Sequence, residues 1–195
     1  LKRPIYMPTF QEATYIKEVN NYVSGEQPNM LLTINRIKEI SEHPFLYDMT
    51  LQSREPNELI GTSARLQATI HFLDNIRNLN EKVILFAERK ESQKMLQRVC
   101  LERYGIIPKI INGDTPTIST GRSSNKQSRQ TAIDDFQSTH GFNVIIMSPI
   151  AAGMGLNVTA ANHVIHFSRH WNPAKENQAT DRAYRIGQTK DVFVY

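Results

Sequence analysis

Cysteine is almost missing from this sequence. Cys100 stands alone in 195 residues, which excludes an internal disulfide and a thiolate zinc cluster. Its spacing from Met95, Leu96 and Val99 is that of a buried helix face, so it is expected to be a small core residue in a reducing compartment. No run of about twenty apolar residues occurs, so no segment is expected to span a membrane. The most apolar stretch, 144–156, is interrupted by Ser148, Pro149 and glycines. The opening LKRPIYMPTF lacks the apolar centre of a secretion signal and is read as an excised boundary. Also missing are a G-x-x-x-x-G-K-[ST] phosphate loop and an acidic cluster after a strand. A nucleoside triphosphate handled by this chain would therefore be cradled mainly by another domain.

What is present is the composition of a globular domain, 39% hydrophobic and 22% charged. A formal charge of +4 is compatible with a polyanionic partner without requiring one. Two regions differ in periodicity. Up to about residue 79 the apolar residues recur at helical spacing. Ala13, Ile16, Val19 and Val23 mark one stripe, ended at Gly25. Leu31, Ile34, Ile37 and Ile40 mark a second, stopped by Pro44. Leu66, Ile70, Leu73 and Ile76 mark a third, with Thr62 or Ser63 as its N-cap. From residue 81 onward, strands are expected over 83–87, 106–111, 144–148, 164–168 and 192–195. They are short and β-branched, as parallel strands buried on both faces are. Helices are expected between them over 91–104, 129–137 and 173–186. The alternation predicts a layered α/β domain. Ligands of such sheets usually bind beyond the carboxyl ends of the strands. The Ser- and Asn-rich stretch 112–128 is expected to be a surface loop.

The chemistry concentrates in 147–195. Asn172 is a good N-cap, Pro173 suits a first helical turn and Gly187 a C-terminal cap. At about 100° per residue, Gln178, Arg182 and Arg185 share one narrow face, while Ala179, Ala183 and Ile186 form a small apolar face beside it. The bland account is a solvated polar stripe. The functional one is that the arginines reach a triphosphate held elsewhere, where a planar guanidinium offsets charge on the transferred phosphoryl group. Upstream, Gly153 and Gly155 bracket a turn that allows close backbone approach to a phosphate or ribose. His163, His166 and His170 are close in sequence, but the first two sit three apart on a strand and should point to opposite faces. Unrelated polar contacts are expected there, not a metal site.

Taken together, SPIAAGMGLNVTAANHVIHFSRHWNPAKENQATDRAYRIGQTKDVFVY resembles the last motifs of the Swi/Snf-type ATPases of helicase superfamily two. The glycine turn with GLN looks like the fifth motif, and the WNP tripeptide with the Q-A-x-x-R-x-x-R-I-G-Q run looks like the sixth. EKVILFAERKESQKML resembles the fourth motif. ING, with Arg129, Ile133 and Phe136, matches the segment after it. EISEHPFL, around His43 and Pro44, looks like a helix end of the family. YMPTFQEATY is similar to its linker into this lobe. The resemblance covers nearly the whole chain.

The resemblance implies a RecA-like layered α/β domain with a mostly parallel sheet and an N-terminal helical segment. Residues 1–60 would be linker and helical insertion, and 61–195 the C-terminal lobe with motifs four to six. It implies a second motor lobe of an ATP-dependent double-stranded DNA translocase, inactive without the N-terminal ATP-binding lobe of the same chain. ATP and Mg2+ would be bound mainly by that lobe, and further protein subunits can join. Arg182 and Arg185 would face the ATP, Arg185 foremost, and Gln178 would contact the nucleotide. Gly153 and Gly155 would couple nucleotide state to DNA grip, and Ser148, Arg89 and Trp171 would lie along the DNA track. Some residues depart from the family pattern. Ser148-Pro149-Ile150 replaces a triplet that usually carries a basic residue, Ala152 replaces a glycine, and Asp181 can pair locally with Arg182 or Arg185. A strand-separating helicase, or a catalytically dead lobe kept as a DNA- or protein-binding module, are the alternatives. The short helical insertion leans toward a prokaryotic, cytoplasmic protein.

Overall fold

The computed structural model describes residues 5–116, 128–152, 156–168, 172, 174, 177, 180–181 and 190–195. The chain divides into two compact units, Leu1–Phe72 and Leu73–Tyr195. Among the described residues no helix is long and apolar enough to cross a membrane.

The first unit is helical, with α1 (Thr9–Val23), α2 (Met30–Glu42), α3 (Pro44–Tyr47), a 3-10 turn at Leu51–Ser53, α4 (Pro56–Thr62) and the start of α5 (Ala64–Asn78). Helix α1 forms where its apolar period predicts, yet the stripe does not face the core. Ile16 is 49% exposed and Val23 77% exposed, while Gln11 and Glu18, two turns apart on one face, are 1% exposed each. Both polar groups are satisfied. The Gln11 amide donates to Ile40 O at 2.7 Å and accepts from Ala64 N–H at 3.0 Å. Glu18 accepts from the Arg36 guanidinium at 3.3 Å and from the Tyr47 hydroxyl at 3.1 Å. Buried polar groups persist only when bonded in this way.

In α2 the stripe is partly right: Ile40 is buried, but Leu31 is exposed. Asn29 caps this helix by accepting from Leu32 N–H. The third stripe holds throughout α5, where Leu66, Ile70, Leu73 and Ile76 are all buried. Ser63 is its cap, accepting from Leu66 N–H at 3.2 Å.

His43 joins α2 to α3. Pro44 does end α2, and it also starts α3 from the first-turn position where its missing N–H costs nothing. The buried imidazole accepts from Phe45 N–H at Nδ1 (3.2 Å), and with the proton on Nε2 it donates to Leu59 O (3.0 Å). Burial lowers its pKa to about 4.

The second unit is built on a five-stranded parallel sheet in the order β2-β3-β1-β4-β5. Its strands are β1 (Lys82–Phe86), β2 (Lys109–Ile111), β3 (Asn143–Met147), β4 (His163–His166) and β5 (Phe193–Val194). All five coincide with expected runs, though β2 is only the last part of its run. Helix α6 (Lys90–Tyr104) ends at Gly105, whose φ of +69° is left-handed backbone that favours glycine. Helix α7 (Arg129–Ser138) is capped by Ser128. A four-residue helix, α8 (Pro149–Ala152), follows β3, where the sequence suggested only a turn.

Ile84, Phe86, Ile145, Met147 and Val164 pack with Ile133 and Phe136 of α7. The alternating residues Val83, Leu85, Val144, Ile146 and Ile165 are buried as well, as a sheet covered on both faces requires. Cys100 lies in this interior, and burial pushes its thiol up to about 12. At the amino ends of β1, β4 and β5, Glu81 gathers three donors: Lys190 Nζ and His163 Nε2 at 2.6 Å each, and Asn162 Nδ2 at 2.8 Å. Partial burial alone would raise the carboxyl, but these donors outweigh it and hold it down at about 2.

The His43 geometry predicts a pH dependence with a defined sign. The folded imidazole refuses a proton that the unfolded chain takes up below pH 6.5, so stability falls as pH drops from about 6.5 toward about 4. Between pH 7 and pH 5 this group alone should cost about 2 kcal/mol. In urea unfolding followed by circular dichroism, His43→Gln should be less stable than wild type at pH 7. The gap should narrow by that amount at pH 5; a constant gap would contradict the assignment.

Candidate functional site

In an all-parallel sheet the carboxyl ends of every strand lie along one edge, and the strands here are knitted together there. Ala87 N–H donates to Met147 O, Ser148 N–H to Ile111 O, and Phe167 and Ser168 N–H to Phe86 O, all at 2.9–3.2 Å. Ser168, 1% exposed, adds a side-chain tie by accepting from Glu88 N–H at 3.1 Å.

A polar network spans the β1, β3 and β2 side of this edge. Gln93 of α6, 1% exposed, donates to Ala87 O at 2.8 Å and accepts from Asn112 Nδ2 at 2.7 Å. It thus fixes the turn after β1 against the turn after β2. Arg129 opens α7 with a guanidinium that is almost wholly buried. Its Nε donates to Thr115 O at 2.8 Å and its Nη2 to Asn112 O at 3.3 Å. Thr115 closes the turn through its hydroxyl, which accepts from Asn112 N–H and donates to Ile110 O. At the surface Lys90 pairs with Asp114 at 2.6 Å. Beside this turn lies an open cleft of about 390 Å³, bordered by Lys109, Asn112, Thr115 and Ala132.

Two residues expected on the DNA track fall on this edge. Arg89 lies three residues past the end of β1 and is the half-buried residue preceding α6. Ser148 follows β3 and is 8% exposed, with its hydroxyl accepting from Ala151 N–H at 3.1 Å to cap α8. Gly153, Gly155, Trp171, Gln178, Arg182 and Arg185 lie outside the described residues, as does the partner arginine of any pair made by Asp181. Their neighbours carry part of the local reading. Asn172 Oδ1 accepts from Ala174 N–H at 2.9 Å, the capping bond its position predicts. Asp181 N–H donates to Asn177 O at 2.9 Å, the spacing of an α-helical turn.

Sequence reasoning overlooked Gln93, Asn112 and Ser168, because each acts through a partner at least 19 residues away. Their one visible signal was a polar residue at a strand end or in the first turn of a helix. Arg129 was matched by pattern, but its burial under two carbonyls was not foreseen. Of the histidines, His163 bonds Glu81 and His166 bonds Thr180 at 2.9 Å.

The helicase conserved C-terminal domain model matches residues 64–187. The Zorya protein ZorD of Escherichia coli O139:H28 is 47% identical over 85% of this chain, which spans 14% of that protein. The chromatin-remodeling ATPase INO80 of Arabidopsis thaliana is 36% identical over 92% of the chain, which spans 11% of it. Among solved structures, the Sulfolobus solfataricus SWI2/SNF2 ATPase core in complex with double-stranded DNA superposes with a TM-score of 0.72 at 28% identity. It covers 97% of this chain and 38% of its own. The chain thus belongs to the helicase conserved C-terminal domain family, as a RecA-like C-terminal lobe of the Swi/Snf type.

Proposed function

We propose that the full-length protein is an ATP-dependent double-stranded DNA translocase and that this chain is its second motor lobe, inactive alone. One observation carries the reading. The chain has the fold of a Swi/Snf second lobe, and its sequence carries the Gln178–Gln188 run with its two arginines. The lobe proper would begin near residue 61, in keeping with a family match that starts at residue 64. Residues 1–60 would serve as linker and helical insertion.

The donor set suits a triphosphate better than a metal. Two guanidiniums donate to phosphate oxygens and have no lone pair for magnesium, and the set supplies no carboxylate. With no phosphate loop in the sequence, the magnesium ligands and the phosphate cradle fall to the other lobe. Bound there, ATP with its magnesium supplies the γ-phosphoryl group to be transferred to water. Closure brings Arg185 and Arg182 to the γ-phosphate, where they offset charge as it develops. Gln178 contacts the nucleotide. Gly153 and Gly155 pass the nucleotide state to the carboxyl edge, where Arg89, Ser148 and Trp171 meet the duplex backbone. Coupling the two sites through one rigid sheet lets each hydrolysis shift the grip on DNA. The DNA in the Sulfolobus complex supports a duplex as the track.

Two outcomes follow. In the full-length protein, Arg185→Ala should lower duplex-stimulated ATP hydrolysis by about a thousandfold while ATP affinity changes little. Turnover equal to wild type would remove the arginine from the mechanism. Arg89→Ala should weaken duplex binding by a similar factor for different sequences, and reduce the slope of log K against log salt by about one. Fluorescence anisotropy across a salt series reads both, and an unchanged slope would take Arg89 off the track.

A further inference from the structure

Gln93 interrupts an apolar face of α6. Leu96 and Cys100, three and seven positions further on, share that face and are buried, as Gln93 is. An apolar residue would pack there without needing a partner. The amide persists because both of its ends are bonded: Nε2 donates to Ala87 O at 2.8 Å, and Oε1 accepts from Asn112 Nδ2 at 2.7 Å.

The surrounding groups decide which end of each amide faces which partner. Asp114 N–H donates to Asn112 Oδ1 at 2.9 Å, so the amide nitrogen of Asn112 is the end turned to Gln93. The Gln93 oxygen meets that donor, which leaves its nitrogen for the Ala87 carbonyl. Turning over either amide, or both, would oppose like groups at two contacts. Asn112 is itself anchored. Its N–H donates to Thr115 Oγ1 at 3.1 Å, and its carbonyl accepts from Arg129 Nη2 at 3.3 Å.

The other end of this chain of bonds falls on Arg89. Gln93 holds the carbonyls on both sides of Glu88, Ala87 O through its side chain and Arg89 O through its backbone N–H at 3.0 Å. The Ser168 hydroxyl, just past β4, accepts from Glu88 N–H at 3.1 Å. With these groups fixed, the backbone of Arg89 takes one position, and the direction in which its side chain leaves the edge is set.

We propose that Gln93 is a positioning residue for DNA contact: it locks the turn after β1 to the turn after β2 and so aims Arg89 at a backbone phosphate of the duplex. The proposal rests on the reading of Arg89 as a DNA contact. Gln93, being buried, touches no DNA itself. Its contribution is made before binding, by removing backbone freedom that Arg89 would otherwise lose on meeting the phosphate.

The test uses the full-length protein and a fluorescently labelled duplex, with anisotropy read across a salt series and Tm measured alongside. Gln93→Met keeps the length and approximate volume of the side chain but removes both polar ends. Asn112→Ala deletes the same amide bond from the other side, and it carries the test if Gln93→Met does not fold. Each should weaken duplex binding about fivefold, the worth of one net hydrogen bond. Each should also bring the slope of log K against log salt toward the Arg89→Ala value, about one phosphate contact lower. In an Arg89→Ala background neither substitution should weaken binding further, because the contact they serve is already gone.

A lower Tm with wild-type affinity and slope would overturn the proposal, as would losses that add to that of Arg89→Ala. Arg89→Ala on its own separates the two levels. If it lowers the slope while Gln93→Met and Asn112→Ala leave it unchanged, the positioning proposal alone fails. If Arg89→Ala keeps the wild-type slope, Arg89 is off the track and the positioning proposal falls with it.

Discussion

Parallel pairing of β1 with both β3 and β4 is the constraint on which the rest of the second unit depends. Parallel neighbours cannot be joined by a tight turn, so each connection between successive strands must return to the starting end of the sheet. The carboxyl ends of five strands are thereby gathered on one edge, and residues far apart in sequence become neighbours there. Arg89, Asn112, Ser148, Ser168 and His166 are separated by up to 79 positions, yet each follows or ends a strand of the same sheet. The register Phe86↔Met147 and Phe86↔His166 places β1 at the centre of that edge.

Holding such an edge rigid is a polar problem. Apolar packing fixes the middle of the sheet, where Ile84, Phe86, Ile145 and Met147 meet α7. At the ends, backbone groups leave the ladder and need other partners. Gln93, Asn112 and Arg129 supply them from the turns and helices beside the edge. Each such bond contributes about 1 kcal/mol net, but a buried group left without its partner costs about 1–3 kcal/mol. The network therefore specifies one arrangement of the loops more strongly than it stabilises the fold. Under the proposed function, a surface that meets a phosphate backbone at fixed points needs that property.

Much of this was legible in the sequence. Five β-branched runs became the strands of the parallel sheet, and the helices expected over 91–104 and 129–137 became α6 and α7. Burial on both faces leaves that signal in β1, β3 and β4, whereas Phe193 and Val194 of the short β5 are exposed. The α5 stripe was legible for the same reason, since one continuous face is buried. The α1 stripe misled. Its buried face is made of Gln11 and Glu18, whose partners lie 18 to 53 residues away. Periodicity registers apolarity along one segment and is blind to polar groups satisfied across a fold. That blindness also hid Gln93, Asn112 and Ser168, and it left the His166–Thr180 bond to emerge from the structure alone. The WNP-to-RIGQ block was readable by family resemblance, and the Asn172 cap and the Asn177–Asp181 turn fit the helix expected of it.

The central claim is that the whole protein converts ATP hydrolysis into movement along intact duplex DNA. The most direct measurement is displacement of a third strand. The full-length protein would be given ATP and a duplex carrying a labelled triplex-forming oligonucleotide, and release of the label would be followed alongside separation of the duplex strands. The account predicts ATP-dependent release of the third strand with the duplex left paired, and loss of release in Arg185→Ala. Separation of the duplex strands, or no release while ATP is hydrolysed, would contradict it.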